Sequence, residues 1–311
     1  VIETVLGPIP AGQLGVTSMH EHLLSDARGL APDDDYALDD AELAAAELGR
    51  ATDLGQGAIV DPTAWGFGGP SPELPALSRA CGLHIIAGVG LYLGRTRPGW
   101  VAGLSADALA EVLGAALHDQ LPNCEHRAGI VGVIAPDHPL TAEDERILDA
   151  AGGVAADTGS ALILRVDPRF ADGPALVARL TGAGLAAERI VLSNIDGYAT
   201  EPETLDQLAA TGATLKWCFG YESAPRPALR GATDAQRADA VVGLWDRGAT
   251  RQVLACGVWT RSALHAHGGF GYDHLLRTAV PRLRRRGLDV ATLDHMLVAE
   301  PARLLDRAVR S

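Results

Sequence analysis

The sequence predicts an α/β protein of the (β/α)8 TIM-barrel class, with residues 1–311 forming one domain. Three observations predict it. Short apolar runs recur along the whole chain and end near a polar residue or glycine. Helical patterns separate them, as strand–helix units require. No Gly-x-Gly-x-x-Gly motif follows the first run, which leaves the doubly wound sheet as the runner-up.

The runs are Gly15–His22, Ala58–Asp61, His84–Tyr92, Gly129–Ala135, Ala161–Asp167, Arg189–Asp196, Ala213–Gly220 and Gln252–Val258. Ala161-Leu162-Ile163-Leu164 and Ile190-Val191-Leu192 are apolar on both faces, the pattern of parallel strands covered by helices. The intervening segments Asp39–Gly55, Ala106–Asp119, Thr141–Thr158, Gly173–Ala183, Glu203–Gly212 and Thr233–Gly248 are rich in Ala, Leu and Glu. Several open on acidic or Thr/Asp residues and close near glycine, as helices do. Leu205, Leu208 and Ala209 recur at the spacing of one buried helical face.

Composition narrows the partners. Hydrophobic content of 47% with 21% charged residues suffices for a core. A net charge of −13 argues against nucleic acid or an anionic membrane as a partner, though not against a local cationic pocket. One lysine, Lys216, accompanies 25 arginines, a skew that reflects base composition. Cys81, Cys124, Cys218 and Cys256 form no CxxC pair, so neither a zinc ribbon nor a disulfide framework is expected. No basic leader and no long apolar run is visible, and a cytoplasmic protein is the expectation.

The most informative motif is His20-Glu21-His22 at the end of the first run. Strand side chains alternate, so the two imidazoles share one face and Glu21 takes the other. Such a pair begins a metal site without completing one, because a catalytic zinc needs about three protein ligands. In a barrel, chemistry lies at the C-terminal strand ends. Those ends carry His20 and His22, Asp61, Tyr92, Gly132 or Val133, Arg165, Asn194, Lys216 or Cys218, and Gly257 or Val258.

At this point the chain resembles the phosphotriesterase family of the amidohydrolase superfamily. Thr4-Val5-Leu6-Gly7-Pro8-Ile9, followed by Leu14-Gly15-Val16-Thr17-Ser18-Met19-His20-Glu21-His22-Leu23-Leu24, is similar to its N-terminal signature. Thr260-Arg261-Ser262 through Gly268-Gly269-Phe270-Gly271-Tyr272-Asp273 resembles the phosphotriesterase-homology branch. Ala299-Glu300-Pro301-Ala302-Arg303-Leu304-Leu305 matches the family's ending, with Glu300 where asparagine is usual. The resemblance implies a binuclear metal centre held by the HxH pair, a carboxylated lysine or glutamate on strand four, histidines on strands five and six, and an aspartate on strand eight.

Only His20 and His22 survive from that set. Strand four offers Gly132 or Val133, strand five Arg165, strand six Asn194, and strand eight Gly257 or Val258. Loss of the bridging carboxylate removes the charge that holds two cations together. Arg165 adds a fixed positive charge, and Asn194 is a poor zinc ligand. The expectation is no cofactor, the alternative being one weakly bound zinc on His20 and His22.

The candidate catalytic residues are therefore His20, His22, Arg165, Asn194 and Lys216, with Asp61, Trp65, Tyr92, Trp217, Cys218 and Trp259 as candidate substrate contacts. Arg165 suits a two-pronged grip on a carboxylate or phosphate, or else pairs with Asp167 or Asp196. Alternation turns Lys216 into the barrel, as base, imine-forming nucleophile or the partner of a carboxylate such as Asp61. Free of metal, the histidines suit proton transfer near neutral pH.

Three functions remain open. The first is a metal-independent enzyme that hydrolyses, eliminates, isomerises or cyclises a small anionic metabolite. The second is a non-catalytic binding relative; the third is a mononuclear hydrolase using the HxH pair and a carboxylate. A homodimer is the oligomeric state that the resemblance allows.

Overall fold

The computed structural model describes residues 1–221 and 231–307. Eight parallel strands form the barrel wall in chain order: Val16–Ser18, Gln56–Asp61, His84–Val89, Ile130–Ile134, Leu162–Arg165, Ile190–Ser193, Thr214–Cys218 and Gln252–Ala255. Bonds beyond the short first strand close the ring. Met19 N donates to Leu254 O at 3.0 Å, Gly257 N to His20 O at 3.0 Å, and His22 N to Val258 O at 2.8 Å.

Strand alternation separates two cores. Met19, Val60, Ile86, Val133, Ile163 and Val253 pack inside the barrel. Ile59, Ile85, Leu164, Leu192, Leu215 and Trp217 pack outward against the helices. Each such side chain contributes roughly 1.5–3 kcal/mol on burial, so a one-residue slip in any strand would exchange the two sets at heavy cost.

The expected helices form at Ala41–Asp53, Ala106–His118, Ala142–Thr158, Gly173–Gly182, Pro202–Ala210 and Asp234–Asp246. Thr141 and Thr233 close capping boxes with Asp144 and Gln236, which accounts for two abrupt starts. The helix Leu74–Cys81 was not apparent as a periodic segment, because it is short and opens on Pro75. The C-terminal helices contain π turns at Leu275–Ala279 and His295–Ala299, which break the 3.6-residue spacing.

An N-terminal hairpin pairs Ile2–Thr4 with Gly7–Ile9. It inserts Ile2 into the inner core beside Leu14 and Leu304. Among the described residues no helix is long and apolar enough to cross a membrane.

Candidate active site

The HxH segment lies just past the first strand's ladder, where neighbouring backbones still fix it. Glu21 N donates to Val60 O at 2.9 Å. Glu21 points away from the two histidines and ties strand one to strand eight. Its carboxylate accepts from Ser18 Oγ at 2.5 Å, Cys256 N at 2.7 Å and Val258 N at 2.8 Å. Burial pushes the Glu21 carboxyl up to about 7 despite these bonds.

On the opposite face, the Nε2 atoms of His20 and His22 stand 3.3 Å apart. His22 Nδ1 lies 2.9 Å from Thr63 Oγ1, and the Thr63 hydroxyl donates to Asp61. Since Thr63 spends its proton on Asp61, it accepts from His22 Nδ1–H. That fixes the His22 tautomer with its Nε2 lone pair toward His20 and the cavity. Among the described residues His20 Nδ1 is buried without a partner. Burial pushes the Asp61 carboxyl up to about 6, against the bonds from Thr63 and Leu23 N, so it is ionised at neutral pH. Burial first, and then the charge of Lys216, lower His22 to about 3 and His20 well below its ordinary value. Both imidazoles are neutral at pH 7.

Strand seven supplies the centre of the site. Thr214, Lys216 and Cys218 face inward, and Lys216 is only 1% exposed. Lys216 Nζ contacts Cys218 Sγ at 3.0 Å, and among the described residues no carboxylate pairs with it. The expected Asp61–Lys216 pair does not form, because Asp61 is committed to Thr63 and Leu23 N. Burial pushes the Cys218 thiol up to about 11, so it is no thiolate.

His20, His22, Lys216 and Cys218 line a cavity of about 530 Å³ that also holds Arg165, Asn194, Tyr92 and Trp259. Arg165 lies 5.9 Å from the Tyr92 ring centroid. Its nearest carboxylate, Asp167, is 3.8 Å away and is gripped more closely by Arg169 at 2.6 Å. The Arg169 hydrogen bond is also the main reason the Asp167 carboxyl falls to about 2. Among the described residues Arg165 Nε is buried without a partner, and the residue lines the cavity.

Asn194, at φ 66°, ends strand six and starts a short turn over Ile195–Tyr198. The cavity wall further includes Asp196, which lies 3.7 Å from Arg237, and Phe67, Arg95, Tyr221 and Arg237, these four not candidates from sequence. Arg237 lies inside a helix, where no strand-end signal marks it. Thr63 was missed as well; its only sign was its place two residues after Asp61.

Three expected substrate contacts lie elsewhere. Trp217 is fully buried on the outward face and donates its Nε1–H to Gln252 Oε1 at 2.9 Å. The same alternation that turns Lys216 inward turns Trp217 out. Trp65 packs edge-on against Trp100 at 5.4 Å and does not line the cavity. Asp61 sits behind His22 as the end of the Thr63 relay.

The structure also fixes the open registers. Val133 lines the cavity, whereas a β-carbon on Gly132 would press on Ile163. Gly257 lines the cavity, whereas Val258 belongs to the outer core.

A binuclear metal centre does not fit these residues. Two imidazoles remain of the six implied ligands, and Val133, Arg165, Asn194 and Gly257 stand at the other positions. A β-carbon on Gly257 would meet Cys218 Sγ at 2.6 Å, so the strand-eight ligand's space is already filled. The Lys216 ammonium beside the histidines opposes a dication, and Arg165 adds a second fixed charge.

The profile described as the phosphotriesterase family matches residues 1–305. N-acetyltaurine hydrolase from Salmo salar is 27% identical, covering 98% of this chain and 97% of that protein. The mouse (Mus musculus) N-acetyltaurine hydrolase is 30% identical over 81% of this chain and 73% of its own length. Among solved structures, a resiniferatoxin-binding protein from Rhodobacter sphaeroides has a TM-score of 0.92 at 30% identity, covering 98% of this chain and 94% of that one. The phosphotriesterase homology protein from Escherichia coli, complexed with phosphate in its active site, has a TM-score of 0.86 at 25% identity, covering 94% of this chain and 99% of that one. With the barrel and the HxH pair in place, the chain belongs to the phosphotriesterase family.

Proposed function

We propose that this family member is a metal-independent cytoplasmic enzyme acting on a small organic anion by acid–base chemistry in the barrel cavity. The observation that carries the reading is Arg165. Its guanidinium faces a ligand-sized cavity, and its nearest carboxylate is held more closely by another arginine. Buried guanidinium groups hold planar anions in two-pronged bonds. Relatives named for hydrolysis of N-acetyltaurine, and a neighbour holding phosphate, support an anionic ligand and a hydrolytic reaction.

In this reading Arg165 holds the anion and Asn194 supplies an amide dipole beside it. The Nε2 lone pair of His22, aimed by Thr63 and Asp61, accepts a hydrogen bond from the substrate or the attacking water and orients it. The test is turnover and calorimetric binding of N-acetyltaurine and inorganic phosphate by protein dialysed against chelator. Retained binding or turnover, lost in Arg165→Ala, supports the reading. One tightly held equivalent of zinc, required for activity and lost in His20→Ala, overturns it.

Two observations favour other readings. The name of the Rhodobacter sphaeroides neighbour fits a binding protein without catalysis. The 3.3 Å approach of the two Nε2 atoms fits a single weakly held zinc. The same dialysed sample separates them, since the first binds without turnover and the second loses activity with its metal.

A further inference from the structure

The chain carries 25 arginines and one lysine, and that lysine is buried at the barrel centre. A guanidinium stays protonated and is not a nucleophile, so Lys216 is the one side chain of the sequence that offers an amine.

Its surroundings suit nucleophilic use. Among the described residues Nζ hydrogen-bonds to the Cys218 thiol and pairs with no carboxylate, so none of their ion pairs must break before it attacks. His20 and His22 line the same cavity, with the His22 lone pair directed inward, and Arg165 stands on its wall. A structural lysine in a barrel interior would be expected to pair with a carboxylate, and among the described residues this one does not.

We propose that Lys216 is an imine-forming residue for an aldehyde or ketone bearing a carboxylate, phosphate or sulfonate. This rests on the reading of the cavity as an anion site and adds the substrate's second functional group. A proton leaves Nζ for water. The amine lone pair bonds to the carbonyl carbon, and the C=O π pair goes to oxygen to give a carbinolamine. That oxygen takes up two protons in all and departs as water, leaving C=N. The protonated imine then draws electrons from an adjacent C–H or C–C bond, the reaction class for which a barrel without a metal has this alternative electron sink.

Reductive trapping tests it on the unaltered protein. The full chain is incubated with glyoxylate and sodium cyanoborohydride, then analysed by intact mass and peptide mapping. Only Lys216 and the chain's terminal amine can react. The expected result is near-stoichiometric labelling of the Lys216 peptide, at least tenfold faster than in urea-unfolded protein. Labelling confined to the terminus, or equally slow at Lys216 in folded and unfolded protein, overturns the proposal. Propanal, a neutral aldehyde, separates the two readings. Equal trapping of both aldehydes at Lys216 keeps the imine and removes the anion grip. Intact phosphate binding with no Lys216 label removes the imine alone.

Discussion

The sulfur of Cys218 occupies the space that any side chain at Gly257 would need, 2.6 Å from where its β-carbon would stand. Gly257 also has φ of +70°, a conformation that favours glycine. The two residues form a matched pair across strands seven and eight. Together they make restoration of an aspartate at the strand-eight ligand position a structural problem rather than a single substitution.

Gly257→Asp should therefore destabilise the barrel by about 2–4 kcal/mol, from backbone strain plus the clash. Cys218→Ala in the same chain should recover about 1–2 kcal/mol of that loss, leaving the strain. Urea unfolding of the four proteins of the cycle measures the coupling. Simple additivity would show that the sulfur is not the obstacle.

Arg165→Ala should weaken binding of phosphate or N-acetyltaurine about 10- to 100-fold while leaving the thermal midpoint nearly unchanged. A charged hydrogen bond contributes about 1.5–3 kcal/mol, and each 1.4 kcal/mol is a factor of ten. Titration calorimetry at two salt concentrations checks it, and the wild-type protein should show the steeper salt dependence.

His22 makes stability depend on pH in a defined direction. Its folded value of about 3 lies below the ordinary 6.5, so unfolding takes up a proton between these limits. The contribution is fully present above pH 6.5 and is lost as pH falls toward 3, amounting to at most about 5 kcal/mol. Glu21, raised from 4.5 to about 7, acts oppositely, its contribution being complete below pH 4.5 and lost as pH rises through 7. Wild type shows the sum, so the comparison is His22→Gln against wild type by chemical unfolding from pH 7.5 to 4.5. The variant should lose less stability on acidification. Parallel curves would mean that His22 is not buried neutral.

Trp217 should matter to stability and not to ligand binding. Gln252→Leu leaves the buried indole N–H without its acceptor and should cost about 1–3 kcal/mol. Affinity for phosphate should stay within twofold of wild type. A large affinity change with unchanged stability would return Trp217 to the cavity.

The barrel was legible because its signals are local and repeated. Ile190-Val191-Leu192 reads as a strand wherever it falls, and Thr141 and Thr233 mark helix starts by their own side chains. Where the local rule breaks, legibility fails. Pro75 opens a helix too short for periodicity, and the π turns at Leu275–Ala279 and His295–Ala299 shift the spacing.

By itself, the sequence determined the fold class, the HxH pair and the inward direction of Lys216. Each follows from residue identity, or from the two-residue period of a strand. The tertiary structure decided what those residues meet. It separated Asp61 from Lys216 and joined it through Thr63 to His22, brought Arg237 from a helix to the cavity wall, and put Cys218 where a residue-257 side chain would be. Partners distant in sequence are set by strand register and barrel closure, and a strand's own period carries no record of which neighbour stands opposite.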